Sequence, residues 1–320
     1  MPDVVEPPAP GAAAALPLSA AQNVQQAILR WYAGHARDLP WRRPDASPWS
    51  VLVSEFMLQQ TPVARVLPAH EAWLRRWPTP AALAASSPGD AIRQWGRLGY
   101  PRRAVRLHAC ARIIAAEHDG QVPDRLDALL ALPGVGQYTA AAVASFAFGQ
   151  RHPVLDTNVR RVLARLLAGR AFPSRAGSVA EVALARSLLP AEPRLAARWS
   201  VAVMELGALV CTAARPGCDQ CPVGRHCSWH GAGHPLGMPA GARAGGAGPR
   251  QRPPAQRYEG TDRQCRGALL AVLRNASGPV PAADLEAAWP DPDQCRRALQ
   301  SLLTDGLAAE PVPGRFTLPG

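Results

Sequence analysis

Two carboxylates and four thiols carry the chemistry this sequence can do. Glu55 lies in "WSVLVSEFMLQQTP", amid Val51, Leu52, Val53, Phe56, Met57 and Leu58. A carboxyl in such company is partly desolvated, which raises its pKa and lets it act as a general acid near neutral pH. Asp156, in "VLDTNVRRVLAR", stands just before a helical pattern. It is predicted to cap that helix, whose N-terminus lowers its pKa and keeps it ionised to face a developing cation. One raised and one lowered carboxylate is the pairing that hydrolysis of a glycosidic bond uses.

The thiols are Cys211, Cys218, Cys221 and Cys227, four of the seven cysteines, spaced C-x6-C-x2-C-x5-C. Structural zinc sites usually pair two short C-x2–4-C arms across a longer gap, and only one arm here is short. A [4Fe–4S] cluster is larger, and uneven spacing suits a loop wrapped around it. Spacing alone favours the cluster and leaves zinc and unligated thiols open. His226 sits inside the loop and reads as a neighbour rather than a ligand, since four thiolates suffice. Cys110, Cys265 and Cys295 are scattered and read as plain buried residues.

These residues must be positioned by a chain of 320 residues, enough for two domains, and 48% hydrophobic, enough for a sizeable core. The net charge of +11 points to an acidic partner, usually nucleic acid and sometimes an anionic membrane surface. All 35 basic residues are Arg. Codon bias of a GC-rich genome accounts for that, yet it leaves no side-chain amine for Schiff-base chemistry. No apolar run reaches the ~20 residues a membrane span needs. The Pro/Ala-rich residues 1–20 read as a disordered leader without the basic start of a signal peptide. The expectation is a cytoplasmic, nucleoid-associated monomer, in a compartment where clustered thiols mean metal rather than disulfides.

From 21 to 211 helical periodicity dominates. Helices are predicted over 23–33, 49–59, 62–76, 88–97, 102–118, 125–131, 136–148, 156–168, 177–189 and 194–210, punctuated by Pro and Gly. The fold class is all-α, with a core over 21–230 that ends in the cysteine loop at 211–227. Residues 231–258 have the Gly/Pro/Ala/Arg composition of a flexible linker, and Arg243, Arg250, Arg252 and Arg257 give it charge that can follow a phosphate backbone. Residues 259–320 read as three short helices and a hairpin. That order suits a small winged-helix-like module. A helical cap packed on the iron–sulfur domain is the plainer reading.

"LPGVGQYTA" joins two of the predicted helices. Gly134 and Gly136 allow a tight turn and close approach, and the second helix opens with free N–H groups that suit a phosphate. Such a hairpin holds DNA backbone without reading sequence. An ordinary helix–helix turn has the same glycines.

Together "LPWRRP", "SEFMLQQTPV", "RLGYPRRA", "LPGVGQYTA", "VLDTNVRRVLARL", "MELGALVC" and the cysteine loop resemble the MutY family of adenine DNA glycosylases in the helix-hairpin-helix superfamily. The resemblance covers about 22–228. It implies two α-helical domains with DNA and a flipped base in the cleft between them, a [4Fe–4S] cluster on the four cysteines, and removal of adenine mispaired with 8-oxoguanine or guanine. It implies that Glu55 protonates adenine at N7 and that Asp156 stabilises the oxocarbenium-like sugar. Tyr138 and Asn158 match residues near the sugar, and Arg42 and Glu205 match the adenine pocket. Gln59, Gln60 and Tyr100 match residues that test or wedge the duplex, and Gly134, Val135 and Gly136 match the hairpin backbone.

Endonuclease III-like relatives carry Lys where this chain has Tyr138, so a Lys-dependent lyase is closed to it. Thymine-mismatch glycosylases depart from "SEFMLQQT". A non-catalytic DNA-binding iron–sulfur protein is the alternative from another class, and the two carboxylates argue against it. The chain departs from the family where many members carry a Nudix-like domain, since 259–320 is short for that fold and helical in pattern. Pro101 also replaces a second aromatic common in the family.

Overall fold

A computed structural model of the chain describes residues 17–174, 178–235 and 258–320. In chain order its helices are α1 (Leu18–His35), α2 (Pro48–Leu58), α3 (Val63–Arg76), α4 (Pro80–Ala84), α5 (Pro88–Trp95), α6 (Arg102–Glu117), α7 (Leu126–Ala131) and α8 (Gln137–Phe146). There follow α9 (Thr157–Leu166), α10 (Val179–Ser187), α11 (Pro193–Leu209), α12 (Ser228–Gly231), α13 (Asp262–Asn275), α14 (Ala282–Glu286) and α15 (Pro292–Thr304). Strands are β1 (Val280–Pro281), β2 (Ala309–Val312) and β3 (Arg315–Thr317), and short 3-10 turns lie at Pro40–Arg42, Cys218–Gln220 and Gly224–His226. Each long helix predicted from periodicity is present to within a few residues. Helix α1 already starts at Leu18, inside the stretch read as leader, and α4 and α12 are too short to show a period.

The chain divides into two compact units, Met1–Asp38 with Ala140–Gly246, and Leu39–Thr139 with Ala247–Gly320. The first is built on α1, α9, α10 and α11. Val24 and Ile28 pack with Val159, Val162, Leu163, Leu166, Trp199, Val203 and Leu206 in one core. The helix starts are local: Asp156, Ser178 and Glu192 accept from first-turn amides of α9, α10 and α11.

The second unit holds α2 to α7 and the C-terminal module. Trp73, Trp77 and Trp95 meet edge to face at its centre, with centroid separations of 4.7 and 5.6 Å. The module runs α13–β1–α14–α15–β2–β3, with sheet order β1-β3-β2, all antiparallel, and Val280 opposite Phe316. This is the winged-helix-like order. Within the second unit the module packs on α5 and meets the start of α6, where Arg102 pairs with Asp305. Gly89 N–H, one of the unpaired donors at the start of α5, donates to Pro319 O at 2.8 Å. A Cβ on Gly89 would lie 2.6 Å from that oxygen, so only glycine lets the chain end seat there.

The linker boundary also shifts. Trp229 Nε1 donates to Pro235 O and His234 N–H to Trp229 O, so residues to 235 belong to the fold. The linker arginines Arg243, Arg250, Arg252 and Arg257 lie outside the described residues.

Candidate active site

Asp156 caps α9 with extended backbone (φ −78°, ψ 176°) and uses both carboxylate oxygens. Oδ1 accepts from Val159 N at 2.6 Å and Oδ2 from Asn158 Nδ2 at 2.8 Å. The capping prediction holds, and the structure brings Asp156 and Asn158 together. The expected lowering of its pKa does not hold. Burial pushes the Asp156 carboxyl above the ordinary carboxylate value and outweighs the Val159 and Asn158 hydrogen bonds and the Arg161 charge, which pull it down. A helix terminus acts through a few N–H groups, whereas desolvation penalises the whole charge.

Behind the pair stands a guanidinium. Arg161 Nη2 donates to Asn158 Oδ1 at 2.8 Å and to Gly207 O at 2.7 Å, and its Nε donates to Cys211 O at 2.7 Å. Asn158 is therefore locked, its amide nitrogen on Asp156 and its oxygen on Arg161. A Cβ on Gly207 would stand 2.7 Å from Asn158 Cβ and 2.9 Å from Asn158 O. Only glycine there lets α11 come this close to the start of α9.

Cys211, Cys218, Cys221 and Cys227 line one cavity of about 290 Å³, mouth included, walled also by Arg165, Trp229 and His230. Arg165 Nη1 donates to Cys211 Sγ at 3.4 Å and to Thr212 O at 2.7 Å, and its guanidinium lies 4.5 Å from the Trp229 ring centroid. Burial, helped by the neighbouring thiols, pushes Cys218 and Cys227 up and Cys221 to about 11. Four thiols repelling each other's ionised forms in a cavity that a guanidinium overlooks are a donor set suited to a compact cationic centre. Sequence reasoning weighed His226 and missed two other histidines. One ligand atom each of Cys218, His230 and His234 lies within 4.8 Å of the others. Arg215 and Arg225 of the loop are exposed.

Glu55 sits on α2, which begins at Ser47 as cap and Pro48 in its first turn. Its side chain is buried, 5% exposed, as the apolar surroundings foretold. The following residue, Phe56, meets the hairpin. A Cβ on Gly134 (φ +81°) would stand 2.9 Å from the Phe56 ring and 3.0 Å from Arg106 Cβ. Gly136 opens onto free space, Val135 is buried, and half-buried Tyr138 stands in the first turn of α8.

Gln59, Gln60 and Tyr100 are gathered by a residue the sequence reading passed over. Arg103 Nη1 donates to Phe56 O, Met57 O and Gln59 O, and Nη2 to Thr61 Oγ1 and Gly99 O. It ties the end of α2 to the turn before α6, where Gln60 (φ +55°) and Tyr100 (φ +49°) both take left-handed backbone. Burial pushes the Arg103 guanidinium down to about 10, so it stays charged at neutral pH among carbonyl acceptors. A signal existed. Arg103, Leu107, Cys110 and Ile114 share the buried face of α6, and an Arg in such a row marks an internal tie. Arg161 and Arg165 show the same signal on α9.

Glu205 is fully buried and held by Arg37, whose backbone N, Nε and Nη2 reach its two oxygens at 3.1, 2.7 and 2.7 Å. Nothing local marks Arg37, which lies 168 residues away. Half-buried Arg42, in a 3-10 turn at Pro40–Arg42, belongs to the other unit.

Residues 53–182 match the HhH-GPD superfamily of base excision DNA repair proteins. The chain is 53% identical over 296 residues to an adenine DNA glycosylase of Mycobacterium tuberculosis, covering 92% of each. It is 51% identical over 294 residues to that of Mycolicibacterium smegmatis, covering 92% of this chain and 95% of the relative. Among solved structures, a thermostable thymine-DNA glycosylase superposes with TM-score 0.61 and 26% identity over 67% of this chain and 98% of that one. That structure is shorter, whereas the mycobacterial matches are long enough to run into the C-terminal module. This chain belongs to the MutY-type adenine DNA glycosylases of the helix-hairpin-helix superfamily, enzymes of base excision repair.

Proposed function

We propose that this protein hydrolyses the N-glycosidic bond of adenine mispaired with 8-oxoguanine or guanine in duplex DNA and leaves an intact abasic site. The observation that carries the reading is Asp156, fixed through both oxygens beside a locked Asn158. A carboxylate so held cannot turn away from a cation formed in front of it and needs no reorganisation when charge develops.

Adenine is a poor leaving group until protonated. Glu55 gives its proton to N7, the C1′–N9 bond breaks, and the bonding pair leaves with adenine. Asp156 faces the positive sugar. Water then adds to C1′, and its proton restores the Glu55 carboxyl. Flipping the nucleoside out of the stack gives both groups access. In this reading Tyr138 stands at the sugar, Glu205 and Arg42 line the base pocket, and Gln59, Gln60 and Tyr100 test the duplex. The 134–136 backbone holds a phosphate. Cys211, Cys218, Cys221 and Cys227 would hold a [4Fe–4S] cluster, which when bound cross-links the loop.

Single-turnover assays on duplexes with adenine opposite 8-oxoguanine, guanine and thymine test the specificity. Excision opposite the first two, with little opposite thymine, is expected. Equal rates on all three would overturn it. With no lysine in the chain, borohydride should trap no stoichiometric protein–DNA crosslink. A trapped complex would contradict the intact abasic product.

The cluster has its own test. Purified protein should be brown, with broad absorption near ~400 nm, and Cys221→Ser should lose both colour and iron. Colourless, active protein containing zinc would refute the assignment.

A further inference from the structure

Five arginines, Arg103 among them, crowd the turn that carries Tyr100. Arg65 Nη2 donates to Arg97 O, and Arg274 Nη1 donates to Gly96 O. The Arg263 guanidinium lies 5.4 Å from the Tyr100 ring centroid, as does that of Arg103. Burial lowers the pKa of Arg274 and of Arg103, and the charge of Arg97 adds to it at Arg274 and that of Arg65 at Arg103. Neighbouring acids are engaged elsewhere: Asp90 pairs with Arg76 and Arg93, and Asp305 with Arg102 and Arg266. Among the described residues, Arg65, Arg97, Arg263 and Arg274 have no carboxylate within ion-pair distance. Like charges gathered with only carbonyl and ring partners for Arg65, Arg274 and Arg263 raise the energy of the free protein, and a polyanion relieves it.

Two of the four come from α13 in the C-terminal module, Arg263 near its start and Arg274 near its end. Eleven residues of helix separate them by about 16 Å, enough to follow several phosphates of one strand. Arg65, Arg97 and Arg263 are exposed, and so is the Tyr100 ring, at 46%.

We propose that Arg65 and Arg97, with Arg263 and Arg274 of the C-terminal module, form one phosphate-binding surface that grips the duplex backbone beside Tyr100. The module is then part of the DNA interface rather than a cap. The surface needs no contact with bases, so it adds affinity without reading the lesion. This rests on the reading of the protein as a duplex-DNA enzyme.

The test uses full-length protein and the exposed positions, leaving half-buried Arg274 in place. Binding of wild type, R263A and R65A/R97A/R263A is measured across 50–200 mM salt on an undamaged duplex and on an adenine:8-oxoguanine duplex. Each lost phosphate contact lowers the slope of log K against log salt by about 0.9. The triple variant should lose about 2 to 3, equally on both duplexes. R263A alone should lose about 1, and Lys at all three positions should restore the slope. An unchanged slope in the triple variant overturns the proposal. A loss confined to the 8-oxoguanine duplex overturns it too, since phosphates are common to both. An unchanged slope in R263A takes Arg263 out of the interface and overturns the four-arginine surface as proposed. Undamaged-duplex binding involves no excision, so a wild type that binds but excises nothing would sink the proposed reaction and leave this result standing.

Discussion

Asp156→Asn slows single-turnover adenine excision by about a hundredfold or more, the loss expected when a fixed anion facing a developing cation is removed. The shape hardly changes. Asn still accepts from Val159 N, where Asp156 accepts at 2.6 Å. What it loses is the second acceptor, because Asn158 Nδ2 donates to Oδ2 and Asn158 Oδ1 is already taken by Arg161. The variant should therefore bind duplex normally and fail at the chemical step. Stability gives an independent readout. A carboxyl whose folded pKa is raised holds its proton longer in the folded state than in the unfolded state. Its stabilising effect is complete below the ordinary carboxylate value and is lost as pH rises through the raised one. Wild type should thus lose ground to Asp156→Asn in melting temperature as pH climbs through that window. A near wild-type excision rate in the variant would remove Asp156 from the reaction. A melting difference independent of pH would show that its carboxyl is not destabilised by burial.

Glu55→Gln should cost a similar factor for a different reason, loss of the proton donor. The two effects separate by leaving group. A base that departs without protonation has no need of an acid, yet its sugar still passes through the same cation. On such a substrate Glu55→Gln should recover most of its loss, and Asp156→Asn should recover little. If the better leaving group rescued both equally, the division of labour between the two carboxylates would be wrong. Glu55 is 5% exposed, so Gln, which keeps its volume, is the replacement least disruptive to packing.

The parts legible in the sequence are those whose physics acts within a turn or two. Asp156 caps α9 because Asp before a helical pattern accepts from an N–H three residues on. The Gly134 turn, the four-cysteine loop and the long helices rest on spacings of the same short reach. The module's helix order was readable for that reason too, though β1, two residues long, carries no alternation to read.

Tertiary structure decided whatever depends on partners far along the chain. Arg103 gathers carbonyls up to 47 residues away, Arg161 reaches Cys211 across 50, and Arg37 reaches Glu205 across 168. A sequence shows only that an arginine lies on a buried face, and not which carbonyls receive it. The Asp156 carboxyl gives the sharpest contrast. The local argument has the right sign for the helix N–H groups, but how much water the folded chain removes is set by packing from distant segments, and that desolvation is the larger effect. The seat of the C-terminal module is decided the same way. Arg274 meets Gly96 across 178 residues, and no local pattern says which unit a short module will cover. That choice needs two surfaces to fit, and only the folded chain presents both.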